Sequence, residues 1–299
     1  MVQQTTEKVL QDKVAVITGG SRGLGFAIAE KFIGAGAKVV IASRSPRAVE
    51  QAVKMLRANG GQAEGLACDV SRVDEVEALA EHAIRTFGRI DIWINNAGLS
   101  APFGPTAQIR SQIVQDLLNT NITGTYNGSV VALRKMAPQG HGKLINLLGR
   151  GDTGSVPFQN AYSSSKIWVR NFTRALAEEY KDSGIDIFGF NPGLVRTEMI
   201  TQVEAIAGME DRLKVLRTIN LVWGNDAGVP ASKAVWLASS ATDGWNGQMV
   251  TVLTSAFKIR RVLSTGWRWL LRRPLENPEL NITSVEPVME LAPVYIENK

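Results

Sequence analysis

The chain of 299 residues carries a single cysteine, Cys68, which excludes an intramolecular disulfide and any zinc cluster built on thiolates. No metal site is expected. One thiol fits a reducing compartment, and its neighbours read Cys68 as a small buried hydrophobe at a strand end rather than a reactive nucleophile. Uninterrupted apolar runs of ~18 residues, the length a membrane-crossing helix needs, are also missing. The polar stretch 1–12 lacks the basic-then-apolar order of a secretory signal. A cytoplasmic location, or an aqueous compartment like a plastid stroma, is therefore expected, with contact at a membrane surface left open. Acidic residues are absent from 258–273, a segment with six cations that accounts for the formal net charge of +5. The basic balance is thus local and gives no reason to expect a nucleic-acid-binding fold. What remains is ordinary for a globular chain: 44% hydrophobic and 20% charged residues, enough for the core of one large domain or two small ones.

Short apolar runs recur at Val14 to Ile17, Val39 to Ala42, Ile90 to Ile94, Lys143 to Leu148, Ile185 to Phe190 and Met249 to Leu253. They lack in-out alternation, the pattern of strands buried on both faces of a parallel sheet. Helical patterns lie between them, among them Phe26 to Ile33, Pro46 to Ala58, Val73 to Phe87 and Ile167 to Tyr180. The alternation predicts an α/β fold, a doubly wound parallel sheet whose ligand crevice lies at the carboxyl ends of the strands. The expected organisation is an arm over 1–12, a Rossmann-like domain over 13–255 and a C-terminal extension over 256–299.

Directly behind the first apolar run stands Thr18-Gly19-Gly20-Ser21-Arg22-Gly23-Leu24-Gly25, a strand turning on glycines into a helix. Glycine permits the tight turn and a close approach of backbone N–H groups to an anion, and the helix N-terminus attracts phosphate. Two further constellations follow: Asn95-Asn96-Ala97-Gly98 behind the fourth strand, and Tyr162 with Lys166. With these three in order, the chain resembles the short-chain dehydrogenase/reductase family, over about residues 12 to 255. The resemblance implies a nicotinamide-dependent oxidoreductase that binds its cofactor through Gly19, Ser21, Arg22, Gly23, Leu24, Gly25, Asn95, Ala97 and Gly98. It also implies a homodimer or homotetramer.

At the end of the second strand a carboxylate would bind ribose hydroxyls and repel a 2′-phosphate. The chain instead reads Ser43-Arg44, and Arg44 with Arg22 could hold that phosphate in charge-assisted pairs. NADP(H) is therefore expected over NAD(H). By resemblance Asp69 and Val70 border the adenine, and Pro192, Gly193, Val195 and Thr197 border the nicotinamide.

Tyr162 and Lys166 are four apart in a helical pattern, so they share one helix face. A phenol titrates near ~10 in water, and a neighbouring ammonium together with the positive nicotinamide ring is expected to bring that value down. Tyr162 would then act as general acid or base, with Lys166 holding the nicotinamide ribose and Asn121 organising the relay behind the lysine, as the resemblance implies. Where the family carries a serine that binds the substrate oxygen, this chain has Gly149. Loss of such a donor costs ~3 kcal/mol unless something replaces it. Candidates are a hydroxyl of Thr153, Ser155 or Ser163, a backbone N–H of Gly149 or Arg150, or Tyr162 acting alone. The spacing Asn146-x-x-Gly149 is similar to one in the chlorophyll b reductases.

Glu198 to Gly228 carries no motif and corresponds to the family's variable substrate lid. Its Met199, Ile200, Val203, Ile206, Met209, Leu213, Leu216, Leu221 and Trp223 fit either an apolar substrate or ordinary helix packing. In the extension, helical winding puts Lys258, Arg261, Arg268 and Arg272 on one face and Ile259, Leu263, Trp267 and Leu270 on the other. Such a helix suits an anionic lipid interface, or a tail docking its apolar face on its own core or another subunit; the docked tail is the expectation. Residues beyond it, with Pro274, Pro278, Pro287 and Pro293, read as extended and surface-hugging. The expected activity is NADP(H)-dependent reduction of a carbonyl, or oxidation of the matching alcohol, on a sizeable apolar small molecule. The alternatives are a cofactor-binding sensor or scaffold that lost turnover with the serine, and an NAD-dependent alcohol dehydrogenase.

Overall fold

A computed structural model describes residues 8–58, 60–270 and 280–289. The first half alternates strictly: β1 (Val14–Thr18), α1 (Gly23–Gly34), β2 (Lys38–Ser43), α2 (Pro46–Ala58), β3 (Ala63–Ala67), α3 (Val73–Phe87) and β4 (Ile92–Asn95). Then come α4 (Ser111–Leu118), one π-helical turn (Asn119–Thr123), α5 (Gly124–Met136), β5 (Gly142–Leu147), α6 (Asn160–Glu179) and β6 (Ile185–Asn191). The remainder is α7 (Glu198–Thr201), β7 (Gln202–Ile206), α8 (Glu210–Trp223), α9 (Gly228–Ala238), β8 (Met249–Thr251), α10 (Ser255–Leu270) and β9 (Asn281–Val285).

Seven strands form one sheet in the order β3-β2-β1-β4-β5-β6-β8, every pair parallel. The missing alternation now has its explanation. Ala15, Ile17, Val39 and Ile41 face one side, against Ile28 and Phe32 of α1, Leu56 of α2 and Leu237 of α9. Their neighbours Val16, Val40 and Ala42 face the other, against Leu79 of α3, Met136 of α5 and Leu176 of α6. Both faces are dry, so apolar side chains fill most strand positions. Each such side chain contributes on the order of 1.5–3 kcal/mol. At the amino-terminal edge, far from the motifs, the buried Asp91 accepts hydrogen bonds from Val14 N and Arg89 Nε at 2.8 Å each. Those donors hold its carboxyl below the usual range even though burial works against them.

The order reverses between β1 and β4, which opens the crevice of a doubly wound sheet at the carboxyl edge. Glycine turn, Asn95 segment and Gly149 all leave the sheet there. Beside it α7, β7 and α8 form the stretch that has no motif. β7 pairs in parallel with β9 of the extension, from Gln202 opposite Asn281 to Ile206 opposite Val285. Ala205, Ile206, Met209 and Leu213 bury a separate small core with Phe103, Phe158 and Ile282 packed against it. Much of the lid's apolar content is therefore internal packing.

Of the docked-tail expectation, the part that places the apolar face on the chain's own core is corrected. On α10 it is Arg261 that meets the fold, donating to the carbonyls of Val222 (3.2 Å) and Gly224 (2.9 Å) at the end of α8. Ile259, Leu263 and Trp267 point away and are 62%, 60% and 62% exposed. A guanidinium satisfies the open carbonyls of a helix C-terminus, and no apolar side chain can do that. The segments 1–7, 271–279 and 290–299, with Arg272, Pro274, Pro278 and Pro293, lie outside the described residues.

Cys68 is 2% exposed, and burial followed by the charges of Glu75, Asp69 and Asp74 pushes its thiol up to about 12. Thiolate is the reactive form. A thiol-reactive dye should therefore leave the native protein unlabelled at neutral pH and modify one site per chain in denaturant, as read by intact mass.

Candidate active site

Gly19 (φ +65°) and Gly23 (φ +56°) occupy the left-handed region, and the turn between them closes on itself. A Cβ on Gly25 would lie 2.3 Å from the Gly19 carbonyl oxygen, and one on Gly19 would lie 2.9 Å from the Ala97 Cα. The turn is tied to β4 through two side chains. Asn96 Nδ2 donates to the carbonyls of Thr18 (2.9 Å) and Gly19 (3.1 Å), while Thr18 Oγ1 accepts from the backbone N–H groups of Asn96 and Ala97 at 3.1 Å each. No side chain caps the start of α1, and its first turn holds no acid. Its free N–H groups are therefore available to an anion, which fits the pyrophosphate of a dinucleotide. Ser21 and Leu24 lie in the same turn, half-buried.

Next to it, Ser43 ends β2 with a buried Oγ that has no partner among the described residues, and Arg44 is exposed. An orphaned hydroxyl beside a free cation fits a phosphorylated ribose. Arg22 is placed differently from the expectation. Its guanidinium meets Glu198 of α7 at 2.5 Å and so bridges the glycine turn to the lid. Asp69 spends one carboxylate oxygen on Ser71 N and Oγ (2.9 and 2.7 Å), the geometry of a turn leading into α3. Val70 is buried, and its carbonyl accepts from Asn127 Nδ2 at 2.9 Å.

Asn95 ends β4. Its side chain is spent inside the fold, accepting from Trp93 Nε1 (2.8 Å) and donating to Asn146 Oδ1 (2.8 Å) and Ser129 Oγ (3.1 Å). It ties β4 to β5 and α5. Asn121 sits in the π-helical turn, fully buried, and latches the loop after β4 by accepting from Leu99 N (2.8 Å) and donating to Leu99 O (3.0 Å). It also donates to Ser165 Oγ on α6 at 3.1 Å, one residue before Lys166. A single π turn inside a helix re-aims side chains and recurs at functional sites. Gly98 leaves just enough room: a Cβ there would stand 3.4 Å from Asn121 Oδ1 and 3.8 Å from Lys166 Nζ.

Tyr162 and Lys166 share one face of α6, with Lys166 Nζ 5.7 Å from the Tyr162 ring centre and donating to Leu147 O at 3.0 Å. Gly149 lies directly beneath the phenol, and a Cβ on it would stand 2.4 Å from Tyr162 Oη. The tyrosine hydroxyl thus fills the space where a side chain at 149 would begin. In the protein alone Lys166 does not lower the phenol. Burial, with Asp152 adding to it, pushes Tyr162 up to about 12, and burial brings Lys166 down to about 8 against the opposing pull of Asp152. Tyr162 therefore holds its proton at neutrality. Of the candidate substitutes for the serine, Thr153 and Ser155 are exposed, and Ser163 donates to Asn160 O at 3.2 Å.

Pro192 and Gly193 follow β6, where Gly193 N donates to Asn191 Oδ1 at 2.9 Å and a Cβ on Gly193 (φ +75°) would strike Leu253 Cγ at 2.6 Å. Val195 bridges to Asn225, and Thr197 starts α7 beside Gly23. Three residues escaped the sequence reading. Asp152, buried behind Gly149, pairs with Arg170 (2.7 Å) and accepts from Asn191 Nδ2 (3.1 Å), which also donates to Gly149 O (3.1 Å). This triad holds the turn below Tyr162. The one signal in the sequence was Asn191 standing directly before Pro192-Gly193. Among the described residues no group of three or more His, Cys, Asp or Glu could hold a metal ion, and no helix is long and apolar enough to cross a membrane.

Comparison with known proteins agrees with this geometry. A short-chain reductase protein, NovJ, from Streptomyces niveus is 34% identical over 69% of this chain and 79% of its own length. A putative ketoacyl reductase of Streptomyces coelicolor is 33% identical over 64% of this chain and 74% of its own. A probable chlorophyll(ide) b reductase of Arabidopsis thaliana is 31% identical over 64% of this chain, which spans only 42% of that relative. Among solved structures, an actinorhodin polyketide ketoreductase variant with NADPH superposes with a TM-score of 0.72 at 28% identity, covering 80% of this chain and 95% of that one. The short chain dehydrogenase family model matches residues 13–207. A nucleotide-cradling turn, a tyrosine and lysine on one helix face and this match together place the chain in the short-chain dehydrogenase family, as an oxidoreductase acting on CH–OH or C=O groups with NAD(P).

Proposed function

We propose that the enzyme reduces a carbonyl on a sizeable apolar molecule with NADPH and that Tyr162 is the proton donor. The observation that carries this reading is the position of Tyr162 Oη over Gly149. When bound, the cofactor supplies a hydride to the carbonyl carbon. The protein's part is to bind the carbonyl oxygen and protonate it. Tyr162 is suited to both tasks, because a phenol that keeps its proton at neutrality can donate a hydrogen bond to the oxygen and then transfer the proton as negative charge develops. Lys166 is held by the Leu147 carbonyl so that its ammonium can offset charge left on the phenol. Asn121 positions both through Ser165 and the Leu99 loop.

Partly buried Phe103 and Phe158 of the adjoining loops, their rings tilted at 45° with centroids 5.4 Å apart, support a bulky apolar substrate. Similarity to a putative ketoacyl reductase and to a polyketide ketoreductase supports carbonyls on extended acyl frameworks. NADPH over NADH is supported by exposed Arg44 beside the orphaned Ser43 hydroxyl, and by the NADPH in that ketoreductase structure. Exposed Tyr126, packed on the Trp168–Phe172 stack of α6, supports a homodimer or homotetramer formed through α5 and α6.

Tyr162→Phe should lower kcat for reduction of an apolar ketone by about 10²–10⁴-fold while leaving NADPH affinity within a few-fold. NADPH binding without turnover, unchanged by that substitution, would mean a sensor or scaffold instead. Gly149→Ser, which reinstates the family's hydroxyl, should reduce kcat by roughly a hundredfold, since its Cβ displaces the Tyr162 hydroxyl by about an ångström; a gain in kcat would contradict this geometry. Arg44→Asp should weaken NADPH roughly 10–100-fold and NADH little, measured as the ratio of the two dissociation constants.

A further inference from the structure

The outward face of α10 takes no part in the reaction proposed above. Ile259, Val262, Leu263 and Trp267 fall on it at helical spacing, with exposures of 62%, 49%, 60% and 62%. At ~100° per residue this stripe is centred opposite Arg261, the side chain that fastens the helix to the end of α8. Exposed Lys258 and Arg260 border the stripe on its two sides. The charged side chain is thus turned into the protein and the apolar ones into solvent, the reverse of a surface helix that packs on its own core.

We propose that α10 seats the protein on an anionic lipid surface, with Ile259, Val262, Leu263 and Trp267 entering the headgroup region and Lys258 and Arg260 paired with lipid phosphates. Charge complementarity selects this occupant. Residues 258–273 contain six cations and no acid, so pairing α10 with its copy in a second subunit would bring like charges together. An anionic membrane neutralises them, and the chemistry asked of such a helix is a broad apolar face, basic flanks and an aromatic residue at the interface. Because α10 rests on α8 and β9 pairs with β7, the part of the fold held nearest the lipid is the lid beside the crevice. An apolar substrate dissolved in a bilayer would then meet the enzyme at its entrance.

The test is co-sedimentation of the full chain with phosphatidylcholine vesicles, with and without phosphatidylglycerol, alongside Leu263→Ser/Trp267→Ser. The expected result is partition into the mixed vesicles that is at least about tenfold weaker with phosphatidylcholine alone, in high salt, or for the double variant, whose melting temperature stays that of the parent. Three results would overturn the proposal. One is equal pelleting of parent and variant. Another is absence of vesicle binding with a changed oligomeric state in the variant by light scattering, which gives the stripe to a second copy. The third is a lower melting temperature in the variant without vesicle binding, which gives it to the chain's own residues. None of these readouts depends on turnover, so the proposal stands or falls apart from the assigned reaction.

Discussion

The latch between β1 and β4 is the contact on which the site depends. These two strands flank the point where the sheet order reverses, and there the crevice would gape or close according to how their ends are held. The Asn96 amide donates across it to the carbonyls of Thr18 and Gly19, and the Thr18 hydroxyl accepts from the backbone N–H groups of Asn96 and Ala97. They occupy backbone groups on both strands that would otherwise lie unpaired at a half-buried edge. The glycine turn can then fold back so tightly that no Cβ fits at Gly25, leaving the N–H groups of α1 free. Binding capacity at the helix end and rigidity at the strand ends have one cause.

The arrangement at Gly149 follows from a different constraint, that of volume. The fold places α6 close enough to the end of β5 for the Tyr162 hydroxyl to stand where a side chain would branch from residue 149. Two groups cannot share that space, so the missing serine and the deep position of the tyrosine are one arrangement. The turn below keeps its shape through the Asp152–Arg170 pair and Asn191. A buried carboxylate so near the phenol also works against its ionisation, which favours a residue that donates a proton over one that removes it. Removing one partner of that pair would leave the other charge buried and uncompensated.

Both described parts of the C-terminal extension, α10 and β9, act on the lid. β9 gives β7 its only strand partner among the described residues, and Ile282 packs against the small core under the lid. α10 closes the other end of α8 through Arg261. A sheet of two short strands is marginal by itself, so the lid's shape rests on residues far away in sequence.

Six of the seven strands of the sheet, all but β3, and the main site motifs were legible in the sequence for local reasons. Strands buried on both faces are largely apolar, glycine is favoured where φ is positive, and a residue pair four apart on a helix must share a face. α2 and α3 were bounded correctly because their apolar positions recur every three to four residues. β7 was not legible, since Gln202 to Ile206 becomes a strand only when Asn281 to Val285 lies beside it. The roles of Asn95, Asp152 and Arg170 were hidden for the same reason, as each is defined by partners that only folding brings near. The sequence alone determined the family, the fold class and the groups available for chemistry, because those depend on local backbone preference and periodic burial. Which face of α10 meets solvent, and whether Tyr162 gains or loses acidity, were decided by tertiary structure. Exposure and electrostatic environment are set by neighbours distant along the chain.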